Sequence, residues 1–374
     1  MGVFSNTFGS TFGSVQKGAK LNWEFWKPQL GDEKINQSEW FNLSYWGGTK
    51  TGWSTFGNTL SCDGNSGNLA KGSIFTFGKV YKIDYSVTVT SGRLGIYDGN
   101  WSLRRITETE NYTMYYVPRG TTLYIESTLL NGTLSSLSIK EVLNFQDGAF
   151  DSGSLVITFD DGKLSNYTDG FPLITSKGVK CTHYIISDYV GSLGYMTWNQ
   201  LNELNQSGFD IQCHSKTHGL LTNLTSEQVK SEMISVNNAF IYNGLPSPQH
   251  HAYPGGIFNQ ITVDAVSEYR KTARNTLPNL LFSPWNNHII PVALSIDNIS
   301  DGGIVILKEW LDLCKLLNVC GVIYGHGVSV NGGSSEVSVS KLTEIIDYAK
   351  QISLEILTMS EAYNKHLRKS ILIK

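Results

Sequence analysis

Residues 154–162 read SLVITFDDG, and this stretch decides the fold of the second half of the chain. Its apolar and β-branched residues predict a short buried strand, and the glycine permits a sharp turn where the strand ends. Two adjacent carboxylates, Asp160 and Asp161, therefore follow the strand directly. Carboxylates held this close are not both stable as free anions, but a metal ion can bind one while the other acts as a base. An ordinary Asp-Gly turn is the alternative, and it would be favoured if this were an isolated feature.

A second predicted strand, residues 209–213, is followed by HSKTH at 214–218. His214 and His218 are four residues apart at the start of a helix or tight turn. In helical geometry positions i and i+4 share a face, so both rings can bind one ion. Together with one aspartate they supply three protein ligands. A fourth position is then left for water, which is typical of a catalytic metal site.

A third predicted strand, residues 321–325, leads into His326. A histidine at the end of a strand is a candidate proton donor, although a lone histidine can also be structural. The other histidines carry no second feature of this kind, and we interpret them as structural residues. They are His183, His250, His251, His288 and His366.

The segments around these motifs predict two domains, one all-β and one α/β. Residues 148–374 alternate short apolar strands with helical segments such as 226–242 and 340–352, which predicts a parallel sheet or barrel with its chemistry at the carboxyl ends of the strands. Residues 21–147 are rich in Trp, Tyr, Thr, Gly and Asn, with alternating stretches such as 80–87. This pattern predicts an antiparallel, jelly-roll-like β-sandwich.

Residues 1–20 contain the repeat NTFGSTFGS and have too little apolar mass to pack on themselves. We interpret them as an arm that docks elsewhere, with a disordered leader as the equal alternative. The tryptophans of the sandwich have two interpretations. Exposed indoles could stack on sugar rings, or they could be core or subunit-interface residues, which we favour for most of them. They are Trp23, Trp26, Trp40, Trp46 and Trp53.

Bulk composition excludes several classes of protein. The 29 basic and 32 acidic side chains give a net charge of -3, which leaves no electrostatic footprint for nucleic acid. No run approaches the roughly 18 apolar residues that span a bilayer, and the first residues lack the basic and apolar regions of a signal peptide. The five cysteines form an odd set without CxxC spacing, so we expect them to be reduced and mostly buried.

Taken in order, the motifs resemble those of the NodB-homology polysaccharide deacetylases, carbohydrate esterase family four. The resemblance covers about residues 150–364. Its motifs are TFDDG at 158–162, HSKTH at 214–218, AYPGG at 252–256, YGH at 324–326 and ILTMSEA at 356–362.

This resemblance implies a distorted (β/α) barrel with one divalent ion on Asp161, His214 and His218. Zinc is the favoured ion, and cobalt, nickel and manganese are the alternatives, because such a ligand set accepts several divalent ions. Asp160 would be the general base towards the attacking water, and His326 would protonate the leaving amine or alkoxide.

On the oxyanion and substrate side, the resemblance implies a backbone N–H donor at Gly255, with Tyr253 beside it. Family members usually place an arginine before the proline and a bulky aromatic after it, whereas this chain has His250 to Tyr253 and then Gly255. Arg274 resembles an arginine that other members use to hold the base aspartate. Asp297 is the nearest candidate for the carboxylate that partners the acid histidine.

The predicted function is metal-dependent removal of acetyl groups, N-acetyl favoured over O-acetyl, from a bacterial surface polysaccharide or peptidoglycan. The predicted setting is a bacteriophage virion or tail that acts at the bacterial cell surface, because no export signal is recognised; a cytoplasmic location is the alternative. Predicted partners are acetylated polysaccharide, other tail proteins through the arm, and further copies of the chain, with no nucleic acid or membrane. The rival interpretations are a catalytically inactive glycan-binding protein and a mainly architectural tail protein.

Overall fold

The computed structural model describes residues 29–98, 102–106, 109–144, 151–278, 280, 287–288, 290–292 and 294–367. These residues divide into two compact units, 29–144 and 151–367. The predicted arm at 1–20, together with Trp23 and Trp26, lies outside the described residues.

Unit 1 is an antiparallel β structure, as its alternating sequence predicts. Its strands form one sheet in the order β2-β3-β8-β5-β6, with β1 and β4 also on β8 and β7 on β5. The two long strands β5 and β8 pair along most of their length and shift register in three places. The strands are β1 (Leu30–Glu33), β2 (Trp53–Phe56), β3 (Thr59–Asp63), β4 (Gly67–Lys71), β5 (Tyr81–Tyr97), β6 (Ser102–Ile106), β7 (Glu110–Tyr116) and β8 (Leu123–Val142).

The core of unit 1 follows the period of two that a half-buried strand requires. Along β5 the side chains of residues 81–87 are alternately buried and half-buried. Trp40, Trp46 and Trp53 belong to this core, with exposed fractions of 4%, 2% and 6%. Their interpretation as core residues is therefore confirmed, and stacking of these three on sugar rings is wrong because their faces are covered by protein.

Unit 2 alternates strands and helices, as predicted. The strands are β9 (Ser154–Phe159), β10 (Thr182–Ile185), β11 (Asp210–Cys213), β12 (His250–Ala252), β13 (Thr272–Pro278), β14 (Ile290–Val292), β15 (Leu294–Ser295), β16 (Cys320–Gly325), β17 (Gly327–Ser329), β18 (Glu336–Ser338) and β19 (Glu355–Leu357). The helices are α1 (Phe171–Ser176), α2 (Trp198–Gln206), α3 (Ser226–Tyr242), α4 (Gln260–Ser267), α5 (Asp301–Leu317), α6 (Val339–Gln351) and α7 (Met359–Ala362). Side-chain caps begin most of these helices, such as Thr225 on α3 and Ser338 on α6.

Strands β17 and β18 of unit 2 form a two-stranded sheet of their own, and β19 pairs with β9. The other eight strands form a nearly closed parallel barrel. Their order is β14-β13-β12-β11-β10-β9-β16-β15, and its two ends, β14 and β15, follow one another in the chain. Strand β9 is buried along its whole length and pairs with three neighbours. Its first half pairs with β19, its second half with β10, and β16 runs along its other edge. The predicted (β/α) barrel is confirmed.

This topology places the predicted motifs at one end of the barrel. The segments that follow β9, β11, β12 and β16 all leave the carboxyl ends of parallel strands, where side chains from separate segments can converge. The backbone N–H of Asp160 donates to the carbonyl of Gly325 at 2.8 Å, which sets the turn after β9 beside His326.

Two predictions from composition can be checked in the described residues. All five cysteines are buried, and none is in a disulfide in the part of the chain that the structure covers. Among the helices described, none is both long and apolar enough to cross a membrane.

Candidate functional site

The structure brings Asp161, His214 and His218 together as one candidate metal site. Oδ1 of Asp161 lies 3.6 Å from Nε2 of His214 and 3.5 Å from Nε2 of His218. The ligand atoms of the three residues all lie within 4.8 Å of one another. A tetrahedral ion with ligand bonds of about 2.1 Å separates its ligands by roughly 3.4 Å, so these distances suit such an ion. The predicted ligand residues therefore converge.

One atom of this cluster lacks the partner that its burial demands. Oδ1 of Asp161 is buried and makes no hydrogen bond within the described residues. A buried acceptor without a partner is costly, and a cation at this point would satisfy it. The donor set of one carboxylate and two imidazoles is also one that divalent zinc and its neighbours in the periodic table accept. The residues present therefore fit a divalent ion.

The backbone at the site is strained. Asp161, Ser215 and His218 have φ angles of 68°, 65° and 63°, in the left-handed region that non-glycine residues rarely adopt. Each such residue costs of order 1–3 kcal/mol and persists only where the surrounding structure enforces it. Strain of this kind is concentrated at functional sites, and here it falls on two of the three candidate ligands.

The pairing of His214 and His218 arises from a turn. Residues 214–218 are not helical, so the argument from a shared helix face is wrong, while the alternative of a tight turn is correct. The backbone N–H of His218 donates to Oγ of Ser215 at 2.9 Å, which holds the turn closed. The two imidazole centroids are consequently 4.9 Å apart.

His214 is oriented as a metal ligand. Its Nδ1 donates to the carbonyl oxygen of Ala252 at 2.8 Å, which leaves Nε2 unprotonated and directed towards Asp161. A hydrogen bond from the far nitrogen to a carbonyl is the usual way in which proteins fix a ligating histidine. Burial lowers the pKa of His214, so its imidazole stays neutral, the form that binds a metal.

Asp160 forms a buried ion pair with Arg274, which lies on β13. Nη2 of Arg274 donates to Oδ1 of Asp160, and the two side chains are 1% and 5% exposed. Burial opposes ionisation of Asp160, but the charge of Arg274 and its hydrogen bond outweigh this effect and lower the pKa of Asp160. The guanidinium also lies over the rings of Tyr184 and Tyr324, at 5.0 and 5.2 Å. Arg274 therefore contacts Asp160, as its predicted role requires.

His326 has a carboxylate partner, Asp297. Nδ1 of His326 lies 2.5 Å from Oδ2 of Asp297, and the backbone N–H of His326 donates to Oδ1 at 2.9 Å. The hydrogen bond that His326 donates to Asp297 raises the pKa of His326, although burial opposes this shift. Asp297 follows the short strand β15, which pairs with the strand that ends at His326. The candidate named from the sequence is thus the residue in contact.

The predicted oxyanion and substrate residues differ in placement. Gly255 is exposed and has a φ of 62°, a conformation that glycine tolerates best. The Tyr253 side chain is only 1% exposed, donates to the carbonyl of His288 at 3.1 Å, and stacks on Phe258. Protein already surrounds the ring and hydroxyl, so the Tyr253 side chain has no open face for a substrate. The oxyanion role of the Gly255 N–H stays a prediction.

The histidines interpreted as structural are buried in unit 2. Burial lowers the pKa of both His183 and His250 to about 4 and lowers that of His251 and His288 as well. His183 stacks on Phe159, and the other three hold hydrogen bonds to neighbouring groups. Their structural interpretation agrees with these contacts. The side chain of His366 lies outside the described residues.

Sequence reasoning missed Lys163, which follows the Asp-Asp-Gly turn directly. Its Nζ lies 3.5 Å from Oδ2 of Asp161, whereas Oδ1 is the oxygen nearest the two imidazoles. The only available signal was its adjacency to the motif. A single lysine in such a position is more often an exposed surface residue, so the sequence alone could not assign it a role.

Comparison with known proteins finds similarity to the same family that the motifs resemble. Residues 147–273 match a family model described as Polysaccharide deacetylase. YxkH of Bacillus subtilis (strain 168), a protein named for polysaccharide deacetylase activity, is 32% identical over 114 residues, which are 30% of this chain and 41% of that protein. The poly-beta-1,6-N-acetyl-D-glucosamine N-deacetylase of Staphylococcus epidermidis is 26% identical over 190 residues, 46% of this chain and 65% of that enzyme. This chain thus spans less than two thirds of the length of these relatives.

Among solved structures, this chain is similar to the Xyl-CE4 domain of a multidomain xylanase from the hindgut metagenome of Trinervitermes trinervoides. The alignment covers 57% of this chain and 91% of that domain. Its sequence identity is 19% and its TM-score 0.43. The family match and the curated relatives relate residues 147–273 to the polysaccharide deacetylases and support a deacetylase hydrolase, the enzyme class that the motifs predict.

Proposed function

We propose that the barrel of residues 151–367 is a metal-dependent deacetylase that hydrolyses acetyl groups on a polysaccharide. The observation that carries this proposal is the convergence of Asp161, His214 and His218 around a buried carboxylate oxygen that has no hydrogen-bond partner in the described part of the chain. An acid–base set flanks these residues in the chain: Asp160 precedes Asp161, and the turn after β9 is bonded to Gly325, the residue before His326. A catalytically inactive glycan-binding protein would have no physical need for either flanking group.

Asp160 has one carboxylate oxygen that can accept a proton. A divalent ion at the site would supply Lewis acidity and make water more acidic. Oδ1 of Asp160 is engaged by Arg274, so Oδ2, 4.0 Å from Nε2 of His214, is the oxygen available to accept a proton. The lowered pKa of Asp160 keeps this oxygen ionised at neutral pH.

His326 is suited to give a proton to the leaving group. Its Nδ1 is held by Asp297, so Nε2 is the nitrogen that can donate towards a leaving amine or alkoxide. Its raised pKa keeps the imidazole protonated to higher pH than an isolated histidine would be. The base and the acid therefore follow separate strands, β9 and β16, and have opposite protonation states, as hydrolysis of an amide or ester requires.

For the substrate we propose a bacterial polymer that contains N-acetylglucosamine, with the N-acetyl group favoured over O-acetyl. The support is the Staphylococcus epidermidis relative, whose name gives poly-beta-1,6-N-acetyl-D-glucosamine as its substrate. For the metal we propose zinc, with cobalt, nickel or manganese as alternatives, because a mixed carboxylate and imidazole set suits all of them.

For the setting we propose a phage virion or tail protein acting at the bacterial surface, with a jelly-roll-like unit 1 and an assembly of several copies. The support is compositional: a Phe, Gly and Ser-rich segment at 1–20 ahead of an aromatic-rich antiparallel unit. Mass spectrometry of purified virions from the producing strain tests this proposal. The chain should be found in the particles, and its absence from them would rule the setting out.

The function itself is tested by acetate release from a polymer of N-acetylglucosamine, from peptidoglycan and from an O-acetylated polymer. Chelation should abolish release, and added zinc or cobalt should restore it. Asp160→Asn should reduce release about a hundredfold or more, the usual effect of losing a general base. Asp347→Asn removes an exposed aspartate on α6 and is the matched control. Release that is unaffected by chelation, or absent on every acetylated polymer with metal present, would reject the proposed function.

A further inference from the structure

The two carboxylate oxygens of Asp161 have different surroundings. Oδ1 faces Nε2 of His214 and Nε2 of His218 and has no hydrogen bond among the residues described. Oδ2 faces Nζ of Lys163 at 3.5 Å. A carboxylate can bind a cation through one oxygen or through both. A group that pairs with the second oxygen keeps that oxygen away from the cation. Lys163 is in the position of such a group.

Lys163 is itself held in place. Its Nζ lies 3.0 Å from the hydroxyl of Tyr195 and 4.5 Å from the centroid of that ring. The backbones of the two residues form a bridge, and two hydrogen bonds flank it: Met196 N–H to Gly162 at 2.9 Å and Leu164 N–H to Gly194 at 2.8 Å. The lysine is therefore anchored by a neighbouring segment, unlike a surface lysine free to sample many rotamers.

We propose that Lys163 is a positioning residue that confines Asp161 to one-oxygen binding of the metal and offsets the charge of this carboxylate. The proposal rests on the proposed function of the site. It goes beyond the ligand set, because it assigns to a residue outside that set the control of how the aspartate binds.

The charges of the whole site support this assignment. Apart from the candidate ligands His214 and His218, each of the site's three carboxylates contacts a basic side chain of its own. The pairs are Asp160 with Arg274, Asp161 with Lys163, and Asp297 with His326. The positive charge of a bound cation is then not cancelled by its own surroundings, so more of it remains to stabilise negative charge on a reacting group. The affinity of the site for the cation is lowered at the same time, because the positive charge of Lys163 repels the cation.

Loss of the Lys163 charge should strengthen binding of the metal and slow the release of acetate. In Lys163→Met the ammonium is gone and Oδ2 of Asp161 is released. We expect Co²⁺ to bind more tightly by roughly tenfold, because a positive charge close to the ion is removed. We also expect the visible absorption of the cobalt protein to weaken, as the second oxygen joins the ion and raises its coordination number.

The experiment measures the Co²⁺ dissociation constant by competition with a chelator, the cobalt absorption spectrum, and acetate release, all on the full chain. Lys163→Arg keeps the charge and should restore wild-type affinity and spectrum. Lys163→Gln is a second variant in case the methionine variant folds poorly. Lys177→Met is the matched control, because Lys177 has a similar exposure but pairs with Asp347. Circular dichroism checks that each variant is folded.

The outcomes separate the two proposals. Tighter Co²⁺ binding, a weaker spectrum and slower acetate release in Lys163→Met, all reversed in Lys163→Arg, support the role of Lys163. Unchanged or weaker Co²⁺ binding with an unchanged spectrum overturns it, even if the wild type releases acetate. If no protein releases acetate but the affinities follow the expected order, the deacetylase function fails and the positioning role stands. A wild type that takes up no Co²⁺ overturns both.

Discussion

His326 and Asp297 form a two-point contact, in which Nδ1 of the imidazole lies 2.5 Å from one carboxylate oxygen and the backbone N–H of the same histidine donates to the other at 2.9 Å. Both oxygens of Asp297 are thus used on one residue. The contact fixes the ring orientation as well as the tautomer, so the proton available for transfer is the one on Nε2. A carboxylate that orients a histidine in this way also stabilises its protonated form.

The pH dependence of acetate release follows from this contact. His326 can donate a proton only below its pKa, which its hydrogen bond to Asp297 raises. Activity should therefore fall as the pH rises through that value. Asp297→Asn removes the negative charge and lowers the pKa of His326. The alkaline limb of the pH–rate profile should therefore move to lower pH, while the acid limb stays in place. The profile of kcat against pH measures this.

The same variant has a direct spectroscopic check. NMR titration of the His326 ring in metal-free protein should show a lower pKa in Asp297→Asn than in the wild type. His326→Gln should lose activity about a hundredfold or more at every pH and have no alkaline limb from this group. An alkaline limb that does not move in Asp297→Asn, with the NMR shift present, would mean that His326 is not the acid.

The buried pair of Asp160 and Arg274 predicts a non-additive effect on stability. Arg274→Met leaves the Asp160 carboxylate buried without its cation, and breaking a buried pair in this way costs about 3–5 kcal/mol. In the double variant Asp160→Asn, Arg274→Met, no uncompensated charge remains, so its free energy of unfolding should be higher than that of Arg274→Met alone. Urea denaturation of the four proteins completes the cycle. Additive losses would contradict the pairing.

Replacing a buried tryptophan of unit 1 should lower the free energy of unfolding of that unit. Trp46 is 2% exposed, and its Nε1 donates to the carbonyl of Trp40. Trp46→Ala should destabilise unit 1 by about 3–5 kcal/mol, because it empties a large buried volume and leaves an acceptor unpaired. Chemical denaturation followed by fluorescence measures this loss. A stable Trp46→Ala protein with impaired sugar binding would favour the surface interpretation instead.

Much of unit 2 could be predicted because its signals are local. The apolar run before Asp160 predicts a buried strand, and the alternation of strands with helices predicts a parallel barrel. From these two facts the convergence of Asp161, His214 and His218 follows, since strand ends meet at one edge. The predicted helix 226–242 agrees with α3 in both bounds. The capping residue Thr225 accounts for its start.

The features that the sequence could not predict depend on three-dimensional geometry, which the spacing of residues along the chain does not encode. His214 and His218 are four residues apart, as on a helix, yet left-handed residues in the turn bring their rings together. Tyr253 belongs to the motif that follows β12, but its ring points into the protein, and a motif does not reveal which way a side chain faces. The role of Lys163 depends on a contact with one oxygen of Asp161, which no sequence pattern specifies.

The position of one bound cation tests the central claim most directly. Crystals grown with zinc or cobalt and measured at the absorption edge of the metal should show one strong anomalous peak in unit 2. The peak should lie about 2.0–2.2 Å from Oδ1 of Asp161, Nε2 of His214 and Nε2 of His218. No peak at this point under saturating metal, or a cation held by other residues instead, would contradict the account.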